Sequence, residues 1–135
     1  MKVVNMRTSP NSTDDDPFTH EIIGAAIEVH RILGCGLFES AYETCLAHEL
    51  TLRDFDVQRQ VRQPLIYKGV DLDAGYRIDL VVDGKAIVEV KAVEHLHPSC
   101  SAQVLTYMKL SGIKVGLVCN FHAELMKDGI RRLVL

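Results

Sequence analysis

An α/β fold built on a central mixed sheet is predicted by three features of the chain. Two long segments with helical spacing come first, a cluster of short β-type segments follows, and a later helix separates that cluster from two final apolar runs. Helix–helix–strands–helix–strand–strand is an order that layers helices on a mixed sheet. The chain has 135 residues, which suits one domain able to bury roughly two-thirds of the surface its unfolded form exposes.

The elements follow in order. Residues 1–17 are polar, with Pro10, Pro17 and the Asp14-Asp15-Asp16 run, and read as a flexible tail that cannot bury enough to order itself. The domain is expected over 18–135. From Thr19, a candidate N-cap, Ile22, Ile23, Ala26, Ile27, His30 and Leu33 recur at helical spacing until Gly34 ends the element. "GCG" turns the chain. A second helix is expected from about Phe38 to Asp54, with Ala41, Cys45, Leu46 and Leu52 inward. "VQRQVRQPLIY" and "RIDLVVDGKAIVEVKAV" read as strands, with a turn at "KGVDLDAG" between them. "PSCSAQVLTYMKLSG" has Pro98 in its first turn and Gly112 at its end, as a helix should. "KVGLVCNF" is a buried-strand type of run and "GIRRLVL" a short last strand.

The hairpin of residues 77–93 carries two acids and a lysine, Asp79, Glu89 and Lys91, where a sheet favours valine. Side chains alternate faces along a strand. One apolar face is saved only if Ile78, Leu80 and Val82 share a side with Val88, Val90 and Ala92. A two-residue turn at Asp83-Gly84 would put those sets on opposite sides. A three-residue loop, Val82 to Gly84 with a left-handed glycine, faces Val81 with Lys85 and Asp79 with Ile87. That register is the one expected, and it projects Asp79, Glu89 and Lys91 from one face.

Two neighbouring carboxylates resist joint ionisation unless a cation joins them, and hard oxygen ligands suit Mg2+ or Mn2+. A nearby lysine can orient or deprotonate an attacking water, or steady charge developing at phosphorus. Asp-x9-Glu-x-Lys therefore fits phosphodiester hydrolysis. The same Glu89 and Lys91 also fit a surface ion pair contributing about 0–1 kcal/mol. Two further patterns bear on the choice. "GLFESAYE" sets Gly36, Glu39 and Tyr42 at the start of the second helix, where an acid also suits the helix dipole. "AQVLTYMKL" sets Gln103 and Tyr107 on one helix face, positions that a capping amide and a core tyrosine would also fill.

Six ordered blocks, "IIGAAIEVHRILGCGLFESAYE", "YKGVDLDAGYRIDLVV", "IVEVKAVE", "AQVLTYMKLSG", "VGLVCNF" and "DGIRRLVL", resemble a family of small proteins named for the motif G-x-x-E-x-x-Y, placed among the PD-(D/E)XK nuclease-like proteins. The resemblance runs from about Ile22 to the C-terminus. "YRIDL" lacks the proline of the superfamily's name, a tolerated departure, and relatives tend to carry histidine near Cys100. It implies a restriction-endonuclease-like core, a central mixed β-sheet flanked by helices with the active hairpin in the sheet. It also implies that Asp79 and Glu89 hold a Mg2+ or Mn2+ ion, with Lys91 positioning the water. Glu39 resembles the first-helix acid that completes the metal site in Holliday-junction resolvases. Gln103 and Tyr107 resemble a Q-x-x-x-Y helix that borders the site in nucleases of recombination and repair. Nucleic acid, DNA before RNA, is the implied partner, and nucleases of this architecture often act as homodimers or with a protein partner. A catalytically idle nuclease-fold module with a regulatory binding role fits the same residues.

Composition sets the remaining limits. Hydrophobic residues make up 47% and charged residues 24%, the balance of a soluble globular protein. No apolar run approaches the length of a membrane span or forms a secretory signal core. Four cysteines stand far apart without a C-x-x-C pair, so a reducing cytoplasm is the expected compartment. Net charge is −3, with a basic C-terminal portion after an acidic middle, so bulk charge does not mark a nucleic-acid binder. His95, His97 and Cys100 do not make a zinc site, because a tetrahedral site needs a fourth ligand and no second cluster waits at suitable spacing. His30, on the apolar stripe of the first helix, is expected to be hydrogen-bonded and partly buried.

Overall fold

In a computed structural model, which describes residues 2–5 and 16–135, six strands form one sheet in the order β1-β8-β7-β6-β5-β2. The strands are β1 Lys2–Asn5, β2 Val57–Arg62, β5 Arg77–Val82, β6 Ala86–Lys91, β7 Val115–Asn120 and β8 Ile130–Val134. A separate two-stranded piece, β3 Ile66–Tyr67 and β4 Val70–Asp71, lies on the excursion between β2 and β5. Helices α1 Pro17–Leu33 and α2 Glu39–Leu52 precede β2, and α3 Pro98–Ser111 crosses from β6 to β7. Only β6 and β7 run parallel, as a helical crossover requires. The predicted mixed sheet flanked by helices is therefore the observed architecture.

Helices α1 and α2 cover one face, where Ile22, Ala26, Tyr42, Leu46 and Leu50 meet Leu80, Val82, Val88 and Leu117. On the other face α3 buries Val104, Leu105 and Met108 against Val81, Ile87 and Val118. The crossing of α3 over β7 depends on Gly116. A Cβ there would stand 2.7 Å from Met108 Sδ and 2.8 Å from Val104 Cγ1.

Four expectations need correction. Over the expected tail, Lys2–Asn5 pair antiparallel with β8 as an edge strand, and residues 6–15 lie outside the described residues. Pairing to a strand at the other end of the chain places this segment, and the composition of residues 1–17 gave no sign of it. The cap of α1 is Asp16, not Thr19. Its carboxylate accepts from the Phe18 N–H at 3.1 Å and from the Thr19 hydroxyl at 3.0 Å, with Pro17 as the first helical residue. Leu52, expected inward, is 64% exposed at the end of α2. Ile78 joins the α3-side cluster with Val61 and not the face of Leu80 and Val82. Between them stands the Gln60/Asp79 position, where β2–β5 pairing skips a step and Gln60 adopts φ +50°, so the strands turn over locally.

The β5–β6 hairpin keeps the predicted parity but slides by two residues. Val82 pairs with Ala86 and Leu80 with Val88, leaving Asp83-Gly84-Lys85 as the loop. Asp83 (φ +52°) and Gly84 (φ +64°) are both left-handed, and the Lys85 N–H donates to the Val82 carbonyl at 2.9 Å. That is a primed Asp-Gly turn with Lys85 as one extra residue. Either even register protects the apolar faces. The observed one places Asp79 level with Glu89 in place of Ile87.

Candidate active site

Regular pairing of β5 with β6 stops at Leu80–Val88, and the two acids take over from there. The Asp79 N–H donates to Glu89 Oε1 at 3.3 Å, and the Val90 N–H donates to Asp79 Oδ2 at 2.9 Å. Each carboxylate thus fills a ladder position, holding the strands apart while gripping both. Asp79 is half-buried and Glu89 only 4% exposed. Burial, then the adjoining Asp79 charge and a hydrogen bond between the two side chains, raise the Glu89 carboxyl to about 8, against smaller opposing pulls from the Asp79 N–H and from Lys91.

Lys91, two residues on, lines a cleft of about 570 Å³ against α3, together with Tyr76, His95, Gln103 and Tyr107. Gln103 and Tyr107 therefore border the same cleft as the lysine, at i, i+4 on the helix. Tyr107 is 3% exposed; burial, followed by the nearby Glu89, Tyr76 and Asp79, pushes its hydroxyl up to about 12, so it stays neutral at ordinary pH. Cys100 shares the wall. Its thiol is raised by burial, with Lys91, Glu89, Glu39 and Asp79 all close enough to act on it. Glu39, the first residue of α2, is exposed and faces this region by charge and not by direct contact. Among the described residues, no group of three His, Cys, Asp or Glu side chains is gathered to hold a metal ion. Asp79 and Glu89 form the pair, and Glu39 stands apart from it.

Tyr42 explains how Glu39 is presented. Its hydroxyl donates to the Gly34 carbonyl at 2.6 Å and accepts from the Leu37 N–H at 3.1 Å, while its ring stacks on Phe121 at 4.5 Å. The G-x-x-E-x-x-Y tyrosine is thus a buried pin for the loop that leads into Glu39.

Three residues went unread in the sequence. Gln60, on its left-handed backbone, donates to Glu43 Oε1 at 2.6 Å and to Asp79 Oδ1 at 3.1 Å. Glu43, buried one turn beyond Glu39, also pairs with Arg59 at 3.0 Å. Asn120 bonds both the N–H (3.1 Å) and the carbonyl (2.9 Å) of Val93, while the Phe121 N–H donates to the Lys91 carbonyl at 2.8 Å. The end of β7 thereby fixes the backbone that carries Lys91. A polar residue closing the otherwise apolar run "VGLVC" was the available signal for Asn120. Nothing local marks Gln60.

His97 caps α3, its Nδ1 accepting from the Ser99 N–H at 3.0 Å. His30 Nε2 lies 2.7 Å from the Ala123 carbonyl oxygen, the hydrogen-bonded, part-buried place expected of it. No helix among the described residues is long and apolar enough to cross a membrane.

A divalent ion suits this donor set. Two hard carboxylates meet where one is nearly dry and pushed toward its neutral form by burial and by its neighbour's charge, a repulsion that a cation held between them would relieve. Residues 16–133 match the family model described as the PD-(D/E)XK nuclease superfamily. No curated protein and no solved structure matches the chain.

Proposed function

The chain belongs to the PD-(D/E)XK nuclease superfamily, and from that premise we propose that it is a Mg2+- or Mn2+-dependent phosphodiesterase acting on DNA, of the G-x-x-E-x-x-Y branch marked by Gly36, Glu39 and Tyr42. The observation that carries the reading is Asp79 level with Glu89 on a splayed hairpin, with Lys91, two residues past Glu89, lining the α3 cleft.

Asp79 and Glu89 would hold the ion, with Glu39 adding negative charge to the neighbourhood. The bound cation supplies charge neutralisation for the phosphate and lowers the pKa of a coordinated water. Lys91 orients the attacking water and places positive charge beside the phosphate oxygens as negative charge builds in the transition state. As the water oxygen forms the new P–O bond it gives up a proton to solvent, the strand's P–O bond breaks, and the departing alkoxide takes up a proton from solvent. Gln60 and Glu43 hold Asp79 from behind, and Asn120 fixes the backbone beyond Lys91. Gln103 and Tyr107 border the path of the strand. Both stay uncharged there, so neither repels the phosphates.

The test uses purified protein on labelled single-stranded, duplex and branched DNA, with and without Mn2+. Metal-stimulated cleavage by wild type, lost in Lys91→Ala, is expected. Equal inactivity of both proteins on every substrate sinks the hydrolase reading and leaves a nuclease-fold binding module.

A further inference from the structure

The cleft beside Lys91 is larger than hydrolysis requires. A phosphate and a water need only the neighbourhood of Asp79, Glu89 and Lys91. The cleft that Lys91 lines runs along α3 with a volume of about 570 Å³, within the range of pockets that take a whole small organic group. Its walls combine apolar and aromatic side chains with the polar His95, His97 and Ser99. Tyr76 and Tyr107 meet edge to face, centroids 5.9 Å apart at 65°, and Leu65, Leu96 and Leu110 add apolar surface to the lining. Tyr107 is buried within the wall, whereas Tyr76 keeps 41% of its surface free. The helix contributes neutral hydrogen-bonding groups, the amide of Gln103 and the hydroxyl of Thr106. The only lysine or arginine in the lining among the described residues is Lys91, at the catalytic end.

An aromatic-walled slot with an amide and a hydroxyl, and with Lys91 of the proposed phosphate site in its lining, matches a nucleobase. Bases inside a duplex are stacked and paired, so none can turn into a side cleft without leaving the helix. An unpaired strand offers its bases freely, and aromatic stacking holds them without needing a strongly basic surface. A chain of net charge −3 lacks such a surface overall. Leu65 and Tyr76, where the β3–β4 excursion leaves and rejoins the sheet region, both belong to the wall. The excursion therefore closes the cleft on the side facing α3.

Building on the hydrolase reading, we infer that this cleft receives one unstacked base of a single-stranded nucleic acid, with Tyr76 as the stacking surface, and that unpaired DNA is the preferred substrate class. Tyr76 and Gln103 are then binding residues for the base, while Asp79, Glu89 and Lys91 handle the adjoining phosphate.

Fluorescence anisotropy tests this on the intact chain, with a labelled 20-nucleotide strand alone and the same strand annealed to its complement, in EDTA and again with Ca2+. The single strand should bind about tenfold or more tightly than the duplex. Tyr76→Ala should lose about five- to hundredfold of single-strand affinity, the range of one base–aromatic stack, and leave duplex binding as it was. Tyr76→Phe should retain it. Ala102→Phe, at an exposed position lining the cleft, should plug the slot and reproduce the loss without touching the aromatic wall. Equal affinities for the two DNA forms, or single-strand binding unchanged in both Tyr76→Ala and Ala102→Phe, overturn the inference. Duplex cleavage in Mn2+ indifferent to Tyr76 overturns the base slot but keeps the hydrolase. Single-strand-selective, Tyr76-dependent binding without cleavage overturns the hydrolase but keeps the slot.

Discussion

Glu89 couples stability to pH and to metal. In the metal-free protein its carboxyl is raised from an ordinary 4.5 to about 8 by burial and by Asp79. Below pH 4.5 the folded and unfolded chains both hold this proton, so it costs nothing. Between pH 4.5 and 8 the unfolded chain releases the proton and the native one keeps it, so stability falls as pH rises. Above pH 8 the full penalty is present. At about 1.4 kcal/mol per unit, the whole gap sets a ceiling of about 5 kcal/mol. For a domain of this size that is a Tm loss of about 10–20 °C, at roughly 4 °C per kcal/mol. The assay is thermal melting of chelator-treated protein from pH 5 to 9, beside Glu89→Gln, which carries no titrating group. The wild-type Tm should fall more steeply than the variant's across this window. Saturating Mg2+ or Mn2+ should remove most of the difference, with a larger increment at pH 8 than at pH 5, because bound carboxylates must be ionised. Melting curves that run parallel for the two proteins would falsify the account of Glu89 as a dry acid awaiting a cation.

Asp79→Asn should abolish the Mn2+-dependent rise in Tm while leaving metal-free stability equal or slightly higher, since it removes the like charge beside Glu89; a rise of wild-type size in the variant counts against Asp79 as a ligand. Lys91→Ala should lower Mn2+-stimulated cleavage by about 100-fold or more with Tm within about 1 kcal/mol of wild type, read by single-turnover kinetics and melting. Asn120→Ala strips both Val93 backbone groups of their partner and should cost about 2–3 kcal/mol in urea unfolding. Tyr42→Phe keeps the Phe121 stack but frees the Gly34 carbonyl and Leu37 N–H, for a loss of about 1–2 kcal/mol; an unchanged urea midpoint contradicts the pin. Gly116→Ala should destabilise by about 1–3 kcal/mol through overpacking against Val104 and Met108, again by urea unfolding.

How far the sequence reading reached depends on the range of the interaction that fixes each feature. The helix ends at Gly34 and Gly112 were legible because a left-handed glycine (φ +73° and +78°) acts within its own turn. The approach of Asp79 to Glu89 followed from parity, which burial enforces wherever strand pairing stays regular. The register did not follow, because a slide of two residues leaves parity intact. It was selected by a primed turn with one extra residue and by two carboxylates that replace ladder bonds. Ile78 changed clusters for a related reason. Pairing breaks at Gln60 and Asp79, and alternation cannot be carried across a break. The Asn120–Val93 clamp and the Glu43–Gln60–Asp79 chain join residues far apart in sequence, so no local pattern announces them.

Periodicity and short-range chemistry in these 135 residues were thus enough to specify the layers, the three helices and which acids share a side. Tertiary structure alone chose the partner of Asp79, dried out Glu89, opened the slot along α3 and recruited Lys2–Asn5 to the edge of β8. The division is physical: alternation and capping act over a few residues, whereas desolvation and strand pairing exist only once distant segments meet.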